Sequence, residues 1–136
     1  MNVEGLAIPY GALSRNLGGF FEVVLPDSIE LADDVQLLFQ HDQKELLART
    51  SSGTLNLDLA SDGLRFNADL PETRADIAEL IQRADLSKCS FGFTCIQDDW
   101  EISEGEPIRY LERILVSEIT ICVNPAYEQT SVIEVL

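Results

Sequence analysis

The sequence predicts an α+β domain that is mainly β, built from antiparallel strands and a single helix over Arg74 to Ala84. Three observations predict it. Leu55, Leu57 and Leu59 alternate with Asn56 and Asp58, and Phe66, Ala68 and Leu70 alternate with Arg65, Asn67 and Asp69, which is the period of half-buried strands. Ser51-Ser52-Gly53 and Ser61-Asp62-Gly63 punctuate these runs with hairpin chemistry. Ile77, Leu80, Ile81 and Ala84 then recur at helical spacing. The 136 residues fit one domain, and a domain of that size hides roughly two-thirds of the surface its unfolded chain would expose.

Taken in order, Val3 to Ile8 reads as a first strand, closed by Pro9-Tyr10-Gly11. Gly18-Gly19 frees the backbone before a second strand over Phe20 to Leu25, which Pro26-Asp27-Ser28 ends. A short helix or turn is expected over Ser28 to Asp33. Val35 to Phe39 is apolar enough for a buried strand, and it delivers Gln40, His41 and Asp42 at its end. Leu46 to Thr50, Thr54 to Leu59 and Leu64 to Leu70 form a meander of three. Pro71-Glu72-Thr73 stops it, with the Thr73 hydroxyl placed to cap the helix and Asp76 placed to favour its N-terminus.

A strand begins near Ser90, with Phe91, Phe93 and Cys95 on a core face and Ser90, Gly92 and Thr94 on the other. That second face is unusually small, and Gly92 leaves room for another backbone to approach. Asp98 to Glu106 reads as an acidic hairpin tip or loop with Trp100 folding back. Arg109 to Val116 and Ile119 to Val123 form one long or bent strand, Asn124 to Tyr127 a turn, and Val132 to Leu136 a short final strand or a frayed end.

The formal charge of -15 repels phosphate backbones, so direct nucleic-acid binding is disfavoured and basic or neutral protein segments are the expected partners. Cys89, Cys95 and Cys122 are odd in number, lie in apolar runs and lack CxxC spacing, so neither a disulfide framework nor a zinc site is indicated. No cofactor or metal is expected. Met1 to Gly11 lacks the pattern of a signal peptide and no stretch is apolar enough to span a membrane, so the expectation is a soluble, cytosolic protein.

Two polar residues stand out as reactive candidates. His41 is the one histidine of the chain, so any imidazole base must be His41. Glu118 lies among Ile114, Leu115, Val116, Ile119 and Ile121, where a buried carboxylate requires a partner; an imidazole N–H suits it, as does a neighbour such as Arg113 or Arg49. Cys89 and Cys95 are rival nucleophiles beside an imidazole. Cys95 is expected in the core, and Cys89 points away from Ser90 on a regular strand.

The ordered set Phe39-Gln40-His41-Asp42, Leu47-Ala48-Arg49-Thr50 with Ser52-Gly53-Thr54-Leu55, Gly63-Leu64, Asp69-Leu70-Pro71, Cys89-Ser90-Phe91-Gly92-Phe93, and Glu118-Ile119 ahead of Asn124-Pro125-Ala126-Tyr127 resembles the prohead maturation proteases of tailed bacteriophages. The resemblance covers nearly the whole chain. It implies a serine endopeptidase related in fold to herpesvirus assemblins, with a small, mostly antiparallel β-barrel flanked by the helix. It implies Ser90 as nucleophile, His41 as base and Glu118 as the acidic third member, with Glu112 nearby as a competing choice. Arg49 is implied as an orienting or oxyanion residue, and the Asn124 to Ala126 turn as a further source of oxyanion donors.

The implied substrates are scaffold or capsid-precursor segments and the chain itself, cut inside the immature prohead in the infected bacterium; whether the subunits form a homo-oligomer stays open. Three positions depart from the family pattern: Ala48 and Ala84 stand where glycine is common, and Cys89 where methionine is usual. The sequence ends soon after Tyr127, so a C-terminal extension acting as scaffold is expected to be missing. A different class of function is a non-catalytic β module that holds capsid or scaffold peptides along sheet edges.

Overall fold

The computed structural model describes residues 1–135, which fold into two β-sheets and one helix around a shared core. The first sheet contains β1 (Asn2–Pro9), β5 (Leu55–Ala60), β6 (Gly63–Asp69) and β9 (Ile133–Val135) in the order β5-β6-β1-β9, with every pair antiparallel. The second contains β2 (Phe21–Val24), β3 (Ile29–Phe39), β4 (Asp42–Arg49), β7 (Lys88–Ser103) and β8 (Glu106–Cys122). β8 is its centre. β7 runs antiparallel along one side, while β2 and then β3 pair with the other side in parallel, and β4 lies antiparallel outside β3.

The mainly β, one-helix expectation holds, but the barrel does not. The order in each sheet ends on unjoined strands among the described residues, β5 and β9 in one and β4 and β7 in the other, so neither sheet closes. The core comes from two sheets sharing apolar faces, with Val3, Leu64 and Phe66 from the first meeting Leu37, Phe91 and Ile119 from the second.

Three local expectations are also corrected. Ile29 to Leu31 extend rather than coil, because their backbone pairs with Ile114 to Val116 of β8, and this pairing overrides the turn-like composition around Asp33-Asp34. The three-strand meander reduces to the β5–β6 hairpin. β4 instead pairs with β3, and a 3-10 turn at Thr50–Ser52, closed by Gly53 at φ 76°, carries the chain to the other sheet. Helix α1 spans Ala75–Gln82 and makes no side-chain cap bond; a 3-10 turn at Glu72–Arg74 precedes it and takes Thr73 out of the capping position.

The acidic stretch after Asp98 is strand rather than loop up to Ser103, and the β7–β8 turn is Glu104-Gly105. Within this hairpin Trp100 does fold back, onto Phe20 at 5.1 Å between ring centroids and beneath the Arg109 guanidinium at 5.9 Å. The final strand is observed over Ile133–Val135, and Leu136 lies outside the described residues.

β8 is bent, as expected of the long Arg109 to Val123 run. Tyr127 stacks on Phe91, the partner of Ile119, and its hydroxyl donates to the Glu22 carboxylate at 2.8 Å, although Glu22 is the partner of Arg109. Two β8 positions ten residues apart would be roughly 33 Å apart on a straight strand, so the sheet must coil to let one tyrosine reach both. Register shifts in β7 at Gly92/Phe93, Cys95/Gln97 and Gln97/Asp98 supply the bends. Glu22 is buried at the centre of this coil, and burial pushes its carboxyl above the ordinary value against the opposing Tyr127 hydrogen bond and the Arg109 charge.

Candidate active site

The site residues lie on one face of the second sheet, and register explains why. Ser90 pairs with Thr120 and Thr120 with Leu38; two rungs further, Gly92 pairs with Glu118, Glu118 with Gln36, and Gln36 with Arg49. The intervening rung of Phe91, Ile119, Leu37 and Ala48 is buried and faces the core. Alternation therefore turns Ser90, Thr120, Glu118 and Gly92 outward together. The small face predicted for Ser90 and Gly92 is real.

His41 reaches this face from the β3–β4 turn. Gln40 and His41 form the two-residue connection, both in the left-handed region at φ 54° and 57°, as a hairpin turn of the primed type requires. Neither residue favours that conformation, and four hydrogen bonds hold it. Gln40 N–H donates to the Ile121 carbonyl at 2.9 Å and its Oε1 accepts from Val123 N–H at 3.2 Å. His41 N–H donates to Thr120 Oγ1 at 2.9 Å, and the Thr120 hydroxyl donates to the Leu38 carbonyl at 3.0 Å.

The imidazole is then met by Glu118. Its Nδ1 lies 3.0 Å from Oε2 and 3.3 Å from Oε1 of that carboxylate. A carboxylate accepts from Nδ1–H, which fixes the tautomer and leaves Nε2 as the acceptor nitrogen. Glu118 attains this position by leaning over β7: a Cβ added to Gly92 would sit 2.6 Å from Glu118 Oε1. The space over Gly92, expected to admit an approaching backbone, is occupied by the Glu118 carboxylate. Glu112 bonds instead to Gln97 at 3.4 Å and lies six residues back along β8, roughly 20 Å by strand rise.

The structure thus joins two of the three expected members directly. Among the described residues no hydrogen bond links Ser90 Oγ to the imidazole; Ser90 is one strand across from Thr120, whose hydroxyl holds His41. Catalytic hydrogen bonds are often long in unliganded enzymes and tighten with substrate. Ser90 is 7% exposed, while the His41 side chain is 47% exposed.

Arg49, at the β4 end of the Glu118 rung, is held by Asp34. Its Nε donates to Asp34 at 2.9 Å and its Nη2 to the same carboxylate, which Ser51 N–H also contacts. That pairing holds the Asp34 carboxyl well below the usual carboxylate range. Two strands separate Arg49 from Glu118's neighbour Gly92 on the shared rung, so the guanidinium serves the β3–β4 edge. Asn124 is exposed in the turn after β8, and the Ala126 carbonyl accepts from Arg15 N–H at 2.8 Å. Lys88 and Arg15 both tie Glu128, the lysine through the backbone carbonyl at 2.6 Å and the arginine through the carboxylate.

The thiols are poor competitors. Cys89 is fully buried and burial, with Cys122 beside it, pushes its thiol far up; Cys122 is likewise pushed up to about 11, mainly by burial. Neither is a thiolate at neutral pH. Cys95 is partly buried against the core, as its parity predicts.

The geometry of the site is a carboxylate-held imidazole, with Ser90 one strand across from the threonine that bonds the His41 backbone. The model of the caudovirus prohead serine proteases matches residues 1–136. The chain belongs to that family. It is therefore a serine peptidase, a hydrolase with a role in prohead maturation, and its place of action is inside the phage prohead in the host. No curated protein and no solved structure matches the chain. Among the described residues no helix is long and apolar enough to cross a membrane.

Sequence reading missed Thr120 and Gln40. Thr120 was hidden inside an Ile-Thr-Ile run where a threonine reads as an ordinary strand residue, and Gln40 looked like a turn residue without chemistry. A signal was present in the second case, since Gln-His at a two-residue turn lacks the asparagine or glycine that this turn favours.

Proposed function

We propose that this prohead protease cleaves scaffold or capsid-precursor segments, and its own chain, with Ser90 as nucleophile, His41 as base and Glu118 as the residue that orients His41. The observation that carries the reading is the Glu118 contact to His41 Nδ1 at 3.0 Å, two rungs from Ser90. Ser90 Oγ attacks the peptide carbonyl carbon while its proton passes to His41 Nε2. The C–N bond then breaks as Nε2 returns that proton to the leaving amine. Water repeats the sequence on the acyl-serine, releasing the new carboxyl and restoring the hydroxyl. Asn124, exposed two residues past the Lys88–Cys122 rung, is the favoured oxyanion donor. Arg49 is less suited, because Asp34 holds it.

The substrate is an extended strand carried on the free side of β7. Ile121 O and Ile114 N bond toward Gln40 and Ser28 on the β3 side, so the alternate residues of β8 face β7. Register then turns the N–H and C=O of Cys89, Phe91, Phe93 and Cys95 away from β8. Cys89 bears this out, its N–H and C=O both bonding Thr130 Oγ1. Phe91, Phe93 and Cys95 continue that edge next to Ser90, and a peptide strand paired there presents its carbonyls beside the serine.

A fluorophosphonate probe tests the assignment. Wild type is expected to label at Ser90, Ser90→Ala not at all, and His41→Ala on the order of 1,000-fold more slowly. Glu118→Gln should slow labelling while Glu112→Gln labels like wild type. Equal labelling of wild type and Ser90→Ala would refute the nucleophile; normal processing of a capsid-precursor peptide by Ser90→Ala would favour a cysteine, and binding of that peptide by wild type without cleavage would favour a binding module.

A further inference from the structure

We infer that Thr120 is the positioning residue that sets His41 against Ser90, an inference that rests on the Ser90–His41 reading above. Thr120 is fully buried on β8, in the run Glu118-Ile119-Thr120-Ile121, where an aliphatic β-branched residue would fill the same space without a polar atom to satisfy. Its hydroxyl is used at both ends. It accepts from His41 N–H at 2.9 Å and donates to the Leu38 carbonyl at 3.0 Å. Leu38 lies ahead of the Gln40-His41 turn and the His41 N–H lies within it, so one hydroxyl ties the residue that carries the imidazole to the strand that leads into the turn.

The same residue fixes the other reactant. Ser90 is the rung partner of Thr120. Ile121 directs its carbonyl to Gln40, on the far side from β7, so Thr120 directs its own N–H and C=O toward β7 and makes a hydrogen-bonded pair with Ser90. Thr120 is thus bonded through its backbone to the strand of the nucleophile and through its side chain to the turn of the base.

The clamp has work to do because the turn is unfavourable on its own. Gln40 and His41 both adopt positive φ without being glycine or asparagine. Gln40 is held by the Ile121 carbonyl and by Val123 N–H; the His41 backbone has Thr120 Oγ1 as its partner. Without that acceptor the His41 backbone relaxes, and the ring moves relative to both Glu118 and Ser90. A displacement of roughly 1 Å in a reacting group lowers the rate on the order of 100-fold. The substrate-binding edge of β7 does not move, so the loss belongs to the chemical step.

The test compares Thr120→Val, which keeps shape and removes the hydroxyl, with Thr120→Ser, which keeps the hydroxyl. Fluorophosphonate labelling of Ser90 and turnover of a capsid-precursor peptide are measured across pH 5 to 9, with thermal unfolding alongside. Thr120→Val should label about 100-fold more slowly, lower kcat with KM unchanged and shift the pH profile; Thr120→Ser should return to within about threefold of wild type. Wild-type labelling and an unchanged pH profile in Thr120→Val would overturn the inference. So would a rise in KM alone, or failure of Thr120→Ser to restore the rate. If Thr120→Val does not fold, Thr120→Ala replaces it under the same criteria, and amide exchange at His41 in wild type adds a second reading: exchange as fast as in an open turn overturns the clamp. Absence of labelling at Ser90 in wild type itself would instead sink the nucleophile assignment, which separates the two failures.

Discussion

Gly92→Ala separates the geometry of the site from the stability of the fold. The alanine Cβ would lie 2.6 Å from Glu118 Oε1, whereas ordinary contact begins near 3.4 Å, so the carboxylate must retreat by about 0.8 Å. That shift exceeds the whole range of good hydrogen-bond distances, about 2.7 to 3.2 Å. The Glu118 contacts to His41 Nδ1 at 3.0 and 3.3 Å cannot both survive it. The fold should be indifferent: Gly92 does not have positive φ, and the clashing atom is the end of a side chain. A glycine inside a strand already costs about 0.5–1 kcal/mol relative to alanine, which offsets the steric term. The expected result is a melting temperature within a few degrees of wild type, with fluorophosphonate labelling of Ser90 slower by roughly 10- to 100-fold. Labelling at the wild-type rate would refute the claim that Glu118 must sit over Gly92. A parallel loss of folding would refute the claim that only the carboxylate moves.

Two further substitutions test the frame around the site. Gly5→Ala should prevent stable folding, since its Cβ would overlap the Ser131 carbonyl oxygen, a backbone atom held by Ser131 N–H to Leu6 O at 3.0 Å; a cooperative unfolding transition within about 1 kcal/mol of wild type would contradict the close approach. Tyr127→Phe removes the hydroxyl that donates to buried Glu22 at 2.8 Å, and leaving that acceptor short should cost about 1–3 kcal/mol at neutral pH. The Tyr127 bond lowers the Glu22 pKa against the burial that raises it, so its loss raises that pKa further. A carboxyl raised in the folded state takes up its proton there before the unfolded chain does. Stability is therefore lost as pH climbs through the raised value and regained as pH falls toward the ordinary 4.5. Denaturation at pH 8 and pH 5 should show the larger deficit at pH 8, and equal deficits would refute the coupling.

How much of this was legible in the sequence depends on whether the governing contact is local or distant. The β5–β6 hairpin, the helix and the parity of Ser90 against Phe91 were readable, because period and turn chemistry act over neighbouring residues. Membership of β4 in a different sheet from β5 was not, because Ser51-Ser52-Gly53 suits a hairpin and a sheet-crossing 3-10 turn alike. Pairing of Ile29 to Leu31 was hidden for a related reason: the partner, Ile114 to Val116, lies more than eighty residues away. At the site, His41 and Glu118 were readable as anomalies, and their contact was one of several open pairings, with Arg113 and Arg49 as the others, until the family pattern favoured it. Arg49 carried a charge and a position after the histidine that were readable in the sequence, while its contact with Asp34, fifteen residues back on the neighbouring strand, was not.

The open sheet accounts for why the site is assembled as it is. In a sheet whose centre is β8, the residue on β8 can address both neighbours at once, and alternation gives it two chances to do so on one face. Thr120 uses the first, with Ser90 on one side and the His41 turn on the other. Glu118 uses the second, over Gly92 on one side and against the imidazole on the other. Serine and histidine sit 49 positions apart in the chain on elements that never pair directly, and β8 supplies the only backbone they share among the described residues. The proposed site is thus a property of β8 register, so a slip of β8 by one residue would turn Thr120 and Glu118 into the core together and take both away from His41 without changing a single side chain.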